Sequence, residues 1–258
     1  MKKVNVLVFS GYGLNCEEET QYGFQLAGGR ADIVHINDVI DGKAKLSDYH
    51  ILAFPGGFAY GDDTGSGKAY ANRVKNHLGP ELEKFLKEKK LIIGICNGFQ
   101  ILAQLGILPG ALTYNDSNRY IDRWVDLKVE GDSPWLKEIE KLSVPIAHGE
   151  GKFVADKKTL VELAKKKQVA FRYVKGETTI YQDLPANPNG AMEDIAGVLS
   201  HDGRVLGMMP HPDRALFTTQ LPHWPLLKDT ARRFGAPMSE HGPGLQIFKN
   251  GVAHVAAR

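Results

Sequence analysis

Cysteine is scarce in this chain, with only Cys16 and Cys96 among 258 residues. One pair cannot build a disulfide framework or a multi-thiolate zinc site, so free thiols in a reducing compartment are expected. An excess of charge of either sign is also missing. Lysine and arginine number 32 against 30 acidic residues, and the lysines are scattered, which excludes a nucleic-acid or membrane surface as the principal partner. A small molecule or another protein is expected instead. The opening MKKVNVLVFSGYG meets glycine before a signal-peptide apolar region could be completed, so it reads as a first strand and a cytoplasmic location is expected. Asn115-Asp116-Ser117 matches a glycosylation sequon, but without a secretion signal it has no route to the modifying enzyme. No repeat or low-complexity segment is present.

What is there is an α/β pattern. Val4 to Ser10, Ile51 to Phe54 and Leu91 to Ile95 are short apolar runs, each ending in glycine, proline or a polar turn, as strands buried on both faces do. Helical stretches from Pro80 to Lys90 and from Asn97 to Leu105 alternate with them. This order predicts an open, mostly parallel sheet with helices on both faces. In the second half, Trp124 to Val129, Val169 to Tyr173, Ile195 to Ser200 and Val205 to Met209 read as strands, some antiparallel, with a basic helix from Lys158 to Lys167 among them. Turns such as Asn187-Pro188-Asn189-Gly190 are too short to be linkers. One domain over 1–258 is the reading, with 215–258 a C-terminal extension of no assigned role. Ligands of open α/β sheets bind beyond the carboxyl ends of the strands, where Gly11, Gly56 and Cys96 all fall.

Gly94-Ile95-Cys96-Asn97-Gly98 places a cysteine between a buried strand and a helix, analogous to the serine elbow of hydrolases. A sharp strand-to-helix turn strains the nucleophile's backbone, and glycines on either side give clearance where a Cβ would collide with neighbouring strands. The helix N-terminus favours thiolate over thiol. A buried, inert cysteine is the bland alternative. Pro210-His211-Pro212-Asp213 then delivers a histidine at the end of an apolar run, with an acid two residues later to select the tautomer that can take a proton from Cys96. Alone, His211-Pro212-Asp213 would be an ordinary surface turn. Gly56-Gly57 follows another strand, and a backbone N–H there, with that of Asn97, could hold an oxyanion. Gly65-Ser66-Gly67-Lys68 is rejected as a phosphate loop, because Asp62 stands where the first glycine is needed and Ala69 replaces the metal-binding hydroxyl. No histidine pair has zinc-protease spacing and Cys16 has no companion at ligand spacing, so no metal is implied.

The combination Pro55-Gly56-Gly57, Gly94 to Gln100 and His211-Pro212-Asp213 resembles class I (triad) glutamine amidotransferases. Gly13-Leu14-Asn15-Cys16, Phe58-Ala59-Tyr60-Gly61-Asp62, Ile146 to Gly151 and Met208 to Arg214 narrow the resemblance to glutaminase subunits of phosphoribosylformylglycinamidine synthase. It spans residues 4 to about 214. The resemblance implies a flavodoxin-like amidotransferase fold and a triad of Cys96, His211 and Asp213. Gly57 and Asn97 would be oxyanion donors, with Gln100, His148, Gly149 and Glu150 around the head group of glutamine. It also implies a large synthetase subunit carrying ATP and Mg, often a small third subunit, and no cofactor in this chain. Asp213 departs from the usual glutamate, and Leu14 and Ala59 from the usual serine. His223, Trp224 and His241 lie where the match is weak and receive no chemistry. Two alternatives stay open: another Cys-His hydrolase, such as a glutamyl-peptide hydrolase, and a non-catalytic regulatory subunit.

Overall fold

The computed structural model describes residues 3–62, 65–180 and 183–258. The first apolar run becomes β1 (Asn5–Ser10), buried from Val6 to Phe9, and is followed by α1 (Glu17–Leu26), the partly exposed edge strand β2 (Arg30–His35) and the short α2 (Ile36–Ile40). The next repeats are β3 (Ile51–Phe54) with α3 (Lys68–Lys87), and β4 (Leu91–Ile95) with α4 (Asn97–Gln104). Every residue of β3 and β4 is buried. The chain then adds β5 (Ala111–Thr113), β6 (Ile121–Val129), β7 (Lys141–His148) and β8 (Lys152–Val154). After α5 (Lys157–Lys165) come β9 (Val169–Val174), β10 (Ile195–Ser200), β11 (Val205–Met208), α6 (Trp224–Phe234) and α7 (Leu245–Ala256).

The main sheet runs in the order β2-β1-β3-β4-β11-β10-β9-β6-β7. From β2 to β11 every pairing is parallel, and from β11 to β7 every pairing is antiparallel. This is the open α/β sheet expected, with its antiparallel strands gathered in the second half. Alternating direction from β11 outward brings β7 back to the orientation of β11. The carboxyl ends of β1, β3, β4, β11 and β7 therefore share one edge.

Strands of a flat sheet lie about 4.8 Å apart, so β7, five places from β4, would be roughly 24 Å away. Instead the carbonyl of Ala147 lies 3.6 Å from the Cys96 sulfur, and the N–H of His211 donates to Pro145 O at 2.8 Å. The antiparallel half must curl across the strand ends. A register shift between β9 and β10 at Gly197 marks one bend. Pro145 is tolerated because β7 is an edge strand, and its carbonyl is left for His211.

One sequence expectation needs correction. The helix expected to open at Pro80 begins twelve residues earlier, at Lys68, with Pro80 inside it. Tyr70, Ala71, Val74, Leu78, Leu82 and Phe85 continue one buried stripe through the proline. Both Pro80 and Asn76, whose carbonyl loses its helical partner, are on the exposed face and not against the core. Residues 215–258 carry two unlike helices. Helix α6 has no buried residue, whereas α7 belongs to the core, with Phe248 set edge-on to Phe24 at 4.9 Å. Asn250 on α7 donates to the carbonyls of Trp135 and Lys137 at 2.9 and 2.7 Å. No helix among the described residues is long and apolar enough to cross a membrane.

Candidate active site

Cys96 sits between β4 and α4 with φ 50° and ψ −106°, a conformation that costs a non-glycine residue roughly 1–3 kcal/mol. Its surroundings hold it there. The Cys96 N–H donates to Met208 O at 2.8 Å, and its carbonyl accepts from Phe99 and Gln100 at 3.0 and 3.2 Å. The flanking glycines are demanded by backbone approach: a Cβ on Gly98 would fall 1.8 Å from Phe54 O, and one on Gly94 would fall 2.6 Å from Gly98 O. The elbow expected from spacing is therefore present, and its sulfur meets the carbonyl of Ala147 from the far edge of the sheet.

His211 follows β11 and is buried, with Nδ1 3.3 and 3.4 Å from the two Asp213 carboxylate oxygens. Its Nε2 has no hydrogen-bond partner among the described residues. Burial works against a charged imidazole here. The charges of Asp213 and Cys96, with hydrogen bonds to Asp213 and Cys16, outweigh it and hold the His211 pKa well above the ordinary histidine value. The three expected triad residues are thus brought together at one strand edge.

Gly57, with φ 152°, pairs antiparallel with Leu14, and a Cβ there would lie 2.5 Å from Gly13 O. The pairing is of the widely spaced kind: Phe58 N–H donates to Gly13 O and Asn15 N–H to Gly56 O, while Gly57 N–H donates to no described group. Asn97 N–H, in the first turn of α4, is likewise without a described partner. Two donors suited to an oxyanion result. The Asn97 side chain is committed elsewhere, accepting from Ala59 N–H at 3.0 Å and donating to Gln100 Oε1 at 2.7 Å.

The remaining expected residues divide by what their side chains touch. Gln100 donates to the carbonyl of Glu150 at 2.6 Å, tying the 148–151 loop to α4, while its Oε1 accepts from Asn97 of the same helix at 2.7 Å. His148 is buried, and Nδ1 lies 3.1 Å from Asn115 Oδ1. The ring fills the space under Gly151, where a Cβ would come within 2.2 Å of it. Burial first, then the positive charge of His211, pushes the His148 pKa down to about 3. His148 therefore supports the loop as a neutral ring, while Gly149 and Glu150 remain half-buried at its surface.

Sequence reasoning missed three contributors. Asn115 is 1% exposed, donates to His148 O and Arg119 O at 2.9 Å each, and accepts from Gly151 N–H at 3.1 Å. Asn115 is thus a buried loop clamp, while Asp116 and Ser117 of the sequon are exposed, and only its place in a polar turn cluster hinted at it. Cys16 lies beside His211 and Arg214, which no local spacing could reveal. Asp62, its carboxyl pushed up by burial, is near enough to Glu150 to feel its charge. Ligand atoms of Cys16, His211 and Asp213 form the one potential metal-binding group among the described residues, lying within 4.8 Å of one another. The Arg214 guanidinium donates to that sulfur at 3.1 Å and already supplies the cation.

Comparison with known proteins identifies the family. The sequence model of the CobB/CobQ-like glutamine amidotransferase domain matches residues 3–255. A phosphoribosylformylglycinamidine synthase subunit PurQ from Methanococcus maripaludis is 49% identical, covering 96% of each chain. One from Dehalococcoides mccartyi is 40% identical, covering 98% of each. A chain of the PurLQS structure from Thermotoga maritima superimposes with a TM-score of 0.74 at 31% identity, covering 98% of this chain and 100% of its own. A glutamine amidotransferase from Thermotoga maritima, at 15% identity and TM-score 0.58, shares the fold alone. The chain belongs to the glutamine amidotransferase family, on the branch of the phosphoribosylformylglycinamidine synthase PurQ subunits.

Proposed function

We propose that this chain is the glutaminase subunit of a phosphoribosylformylglycinamidine synthase, hydrolysing glutamine to glutamate and passing ammonia to an ATP-dependent synthetase subunit of purine biosynthesis. The observation that carries the chemistry is the strained Cys96, presented beside two unpaired backbone N–H groups and a histidine oriented by an acid. Cys96 gives its proton to His211, and the sulfur attacks the side-chain amide carbon of glutamine. The N–H groups of Gly57 and Asn97 hold the resulting oxyanion, one such donor being worth about 10²–10³ in rate. His211 returns the proton to the leaving nitrogen, ammonia departs, and a thioester remains. Water, deprotonated by His211, then cleaves the thioester to release glutamate. Gly149 and Glu150 line the head-group side of the substrate, with Gln100 and His148 fixing their loop.

The Thermotoga maritima relative was solved as PurLQS, which supports an assembly with a synthetase and a third, small subunit. ATP and Mg belong to the synthetase in this reading, and this chain needs no cofactor. Exposed Phe58 and Tyr120, their rings 5.9 Å apart, suit a covering partner, since Tyr120 lies close enough to feel the Cys96 charge. Free thiols at Cys16 and Cys96 fit a cytoplasmic location.

In the reconstituted complex, Cys96→Ala should abolish glutamine-dependent synthesis and leave ammonia-dependent synthesis intact. Loss of both would give Cys96 a structural role instead. The isolated chain should be a weak glutaminase strongly stimulated by its partner, so a high partner-independent turnover would count against ammonia transfer. Faster cleavage of γ-glutamyl peptides than of glutamine would favour a peptide hydrolase. Failure of a glutamine-like electrophile to label Cys96 would favour a non-catalytic subunit.

A further inference from the structure

Cys16 is a buried nucleophilic group that the reaction above leaves unused. It stands at the start of α1, 1% exposed. Its backbone N–H donates to Gly56 O at 3.1 Å, which staples the loop after β1 onto the loop carrying Gly57. Above Gly56 the sulfur and the imidazole share one small space: a Cβ there would lie 3.1 Å from Cys16 Sγ and 2.6 Å from His211 Cε1. The sulfur is itself fixed, accepting from Arg214 Nη2 at 3.1 Å, and Arg214 Nε is held 3.4 Å from Glu19 Oε1.

Asp213 alone holds the ring loosely, since 3.3 and 3.4 Å are long beside the 2.7–2.9 Å typical of a charge-assisted hydrogen bond. We infer that Cys16 is a positioning residue for the hydrolysis: its sulfur, anchored by Arg214, steadies the Cε1–Nδ1 edge of His211 and leaves Nε2 for the proton shuttled to the leaving nitrogen. This rests on the reading of His211 as the acid–base group. Burial pushes the Cys16 thiol up, against the pull of His211 and Arg214, so Cys16 is a soft acceptor and not a second nucleophile. The titratable groups near the ring are Cys16, Cys96, Tyr120, His148, Asp213 and Arg214. Of these, Cys16 is a hydrogen-bond acceptor that can be removed without touching the triad.

The test compares Cys16→Val, Cys16→Ala and Cys16→Ser with the parent in the full complex, measuring kcat and KM for glutamine across pH, with Cys96→Ala as reference. Cys16→Val and Cys16→Ala should lower kcat about 10-fold with KM little changed, as loss of an oriented acid–base group does. Because the sulfur helps to keep the proton on His211, the alkaline limb of the kcat profile should move to lower pH in both. Cys16→Ser, which restores an acceptor, should recover most of the rate and return the limb. Should Cys16→Val fail to fold, the Cys16→Ala and Cys16→Ser pair makes the same comparison. Parent-like kcat and pH profile in Cys16→Ala, or an equal loss in Cys16→Ser, would overturn the inference by leaving only a packing role. A Cys96→Ala chain that still hydrolyses glutamine would instead overturn the amidotransferase reading. An inert Cys96→Ala beside an unaffected Cys16→Ala removes this inference alone.

Discussion

The parallel and antiparallel halves of the sheet make different contributions to one site. The parallel half delivers reactive groups from strand ends: Cys96 after β4, Gly57 after β3 and His211 after β11. The antiparallel half delivers mostly backbone, with Ala147 O on the sulfur, Pro145 O on the His211 N–H, and the 148–151 loop clamped by Asn115. One half holds Cys96 in its strained turn, and the other sets what surrounds it by curling over. The parallel half should therefore tolerate almost no added atoms near the elbow. The antiparallel half should tolerate an added atom on the open side of its loop, at Gly149, though not over the His148 ring at Gly151, and should not tolerate lost hydrogen bonds.

The sharpest way to break that contrast is to add one methyl group to each half. Gly98→Ala drives a Cβ to 1.8 Å from Phe54 O, backbone against backbone, so neither side can yield cheaply. A loss on the order of 4 kcal/mol is expected, with glutaminase activity gone. Gly149→Ala meets nothing within 4 Å and should stay within about 0.5 kcal/mol of the parent. Urea denaturation of the two variants checks both, and equal losses would erase the distinction.

Taking atoms away should reverse the ranking. Asn115→Ala removes the acceptor of Gly151 N–H and the donor to His148 O and Arg119 O, stranding buried groups. About 3 kcal/mol should be lost, each unsatisfied buried group costing on the order of 1–3. KM for glutamine should rise about 10-fold with kcat less changed, because the loop loosens while the elbow stays intact. A fall in kcat alone would mean that the clamp acts on the nucleophile.

The same division decides what could be read from the chain in advance. Val4 to Ser10, Ile51 to Phe54 and Leu91 to Ile95 are largely apolar because both faces are covered, and they became β1, β3 and β4 with little change. The elbow glycines were legible for a related reason, since steric demand leaves glycine as the only solution. Strand β7 was not found, because Lys141, Ser143 and Pro145 on an edge strand dilute any periodic signal. Strand β2, carrying Arg30, Asp32 and His35, hid in the same way. The curl that puts Ala147 O on Cys96 is a property of the whole sheet, with no local pattern to announce it. Cys16 and Arg214 meet across 198 positions, and Asn115 resembled a surface sequon until its four polar contacts were seen.

The smallest effect separates the two histidines, one in each half. Burial holds His148 near pKa 3, whereas Asp213 and Cys96 hold His211 above its ordinary value despite burial. The folded state therefore favours neutral His148, and its contribution to stability is present above the unfolded value of about 6.5 and is lost as pH falls toward 3. For His211 the sign is opposite: its contribution is full below about 6.5 and is lost as pH rises through its elevated folded value. Replacing His148 by glutamine deletes only the first slope. Between about pH 7 and pH 5 the parent should lose about 2 kcal/mol more than His148→Gln, because the unfolded parent takes up a proton there that the folded one refuses. Urea denaturation at the two pH values reads this difference, and groups that titrate alike in both proteins cancel from it. Parallel losses in parent and variant would mean that His148 accepts a proton in place, and that the antiparallel half is open enough at the loop to let it.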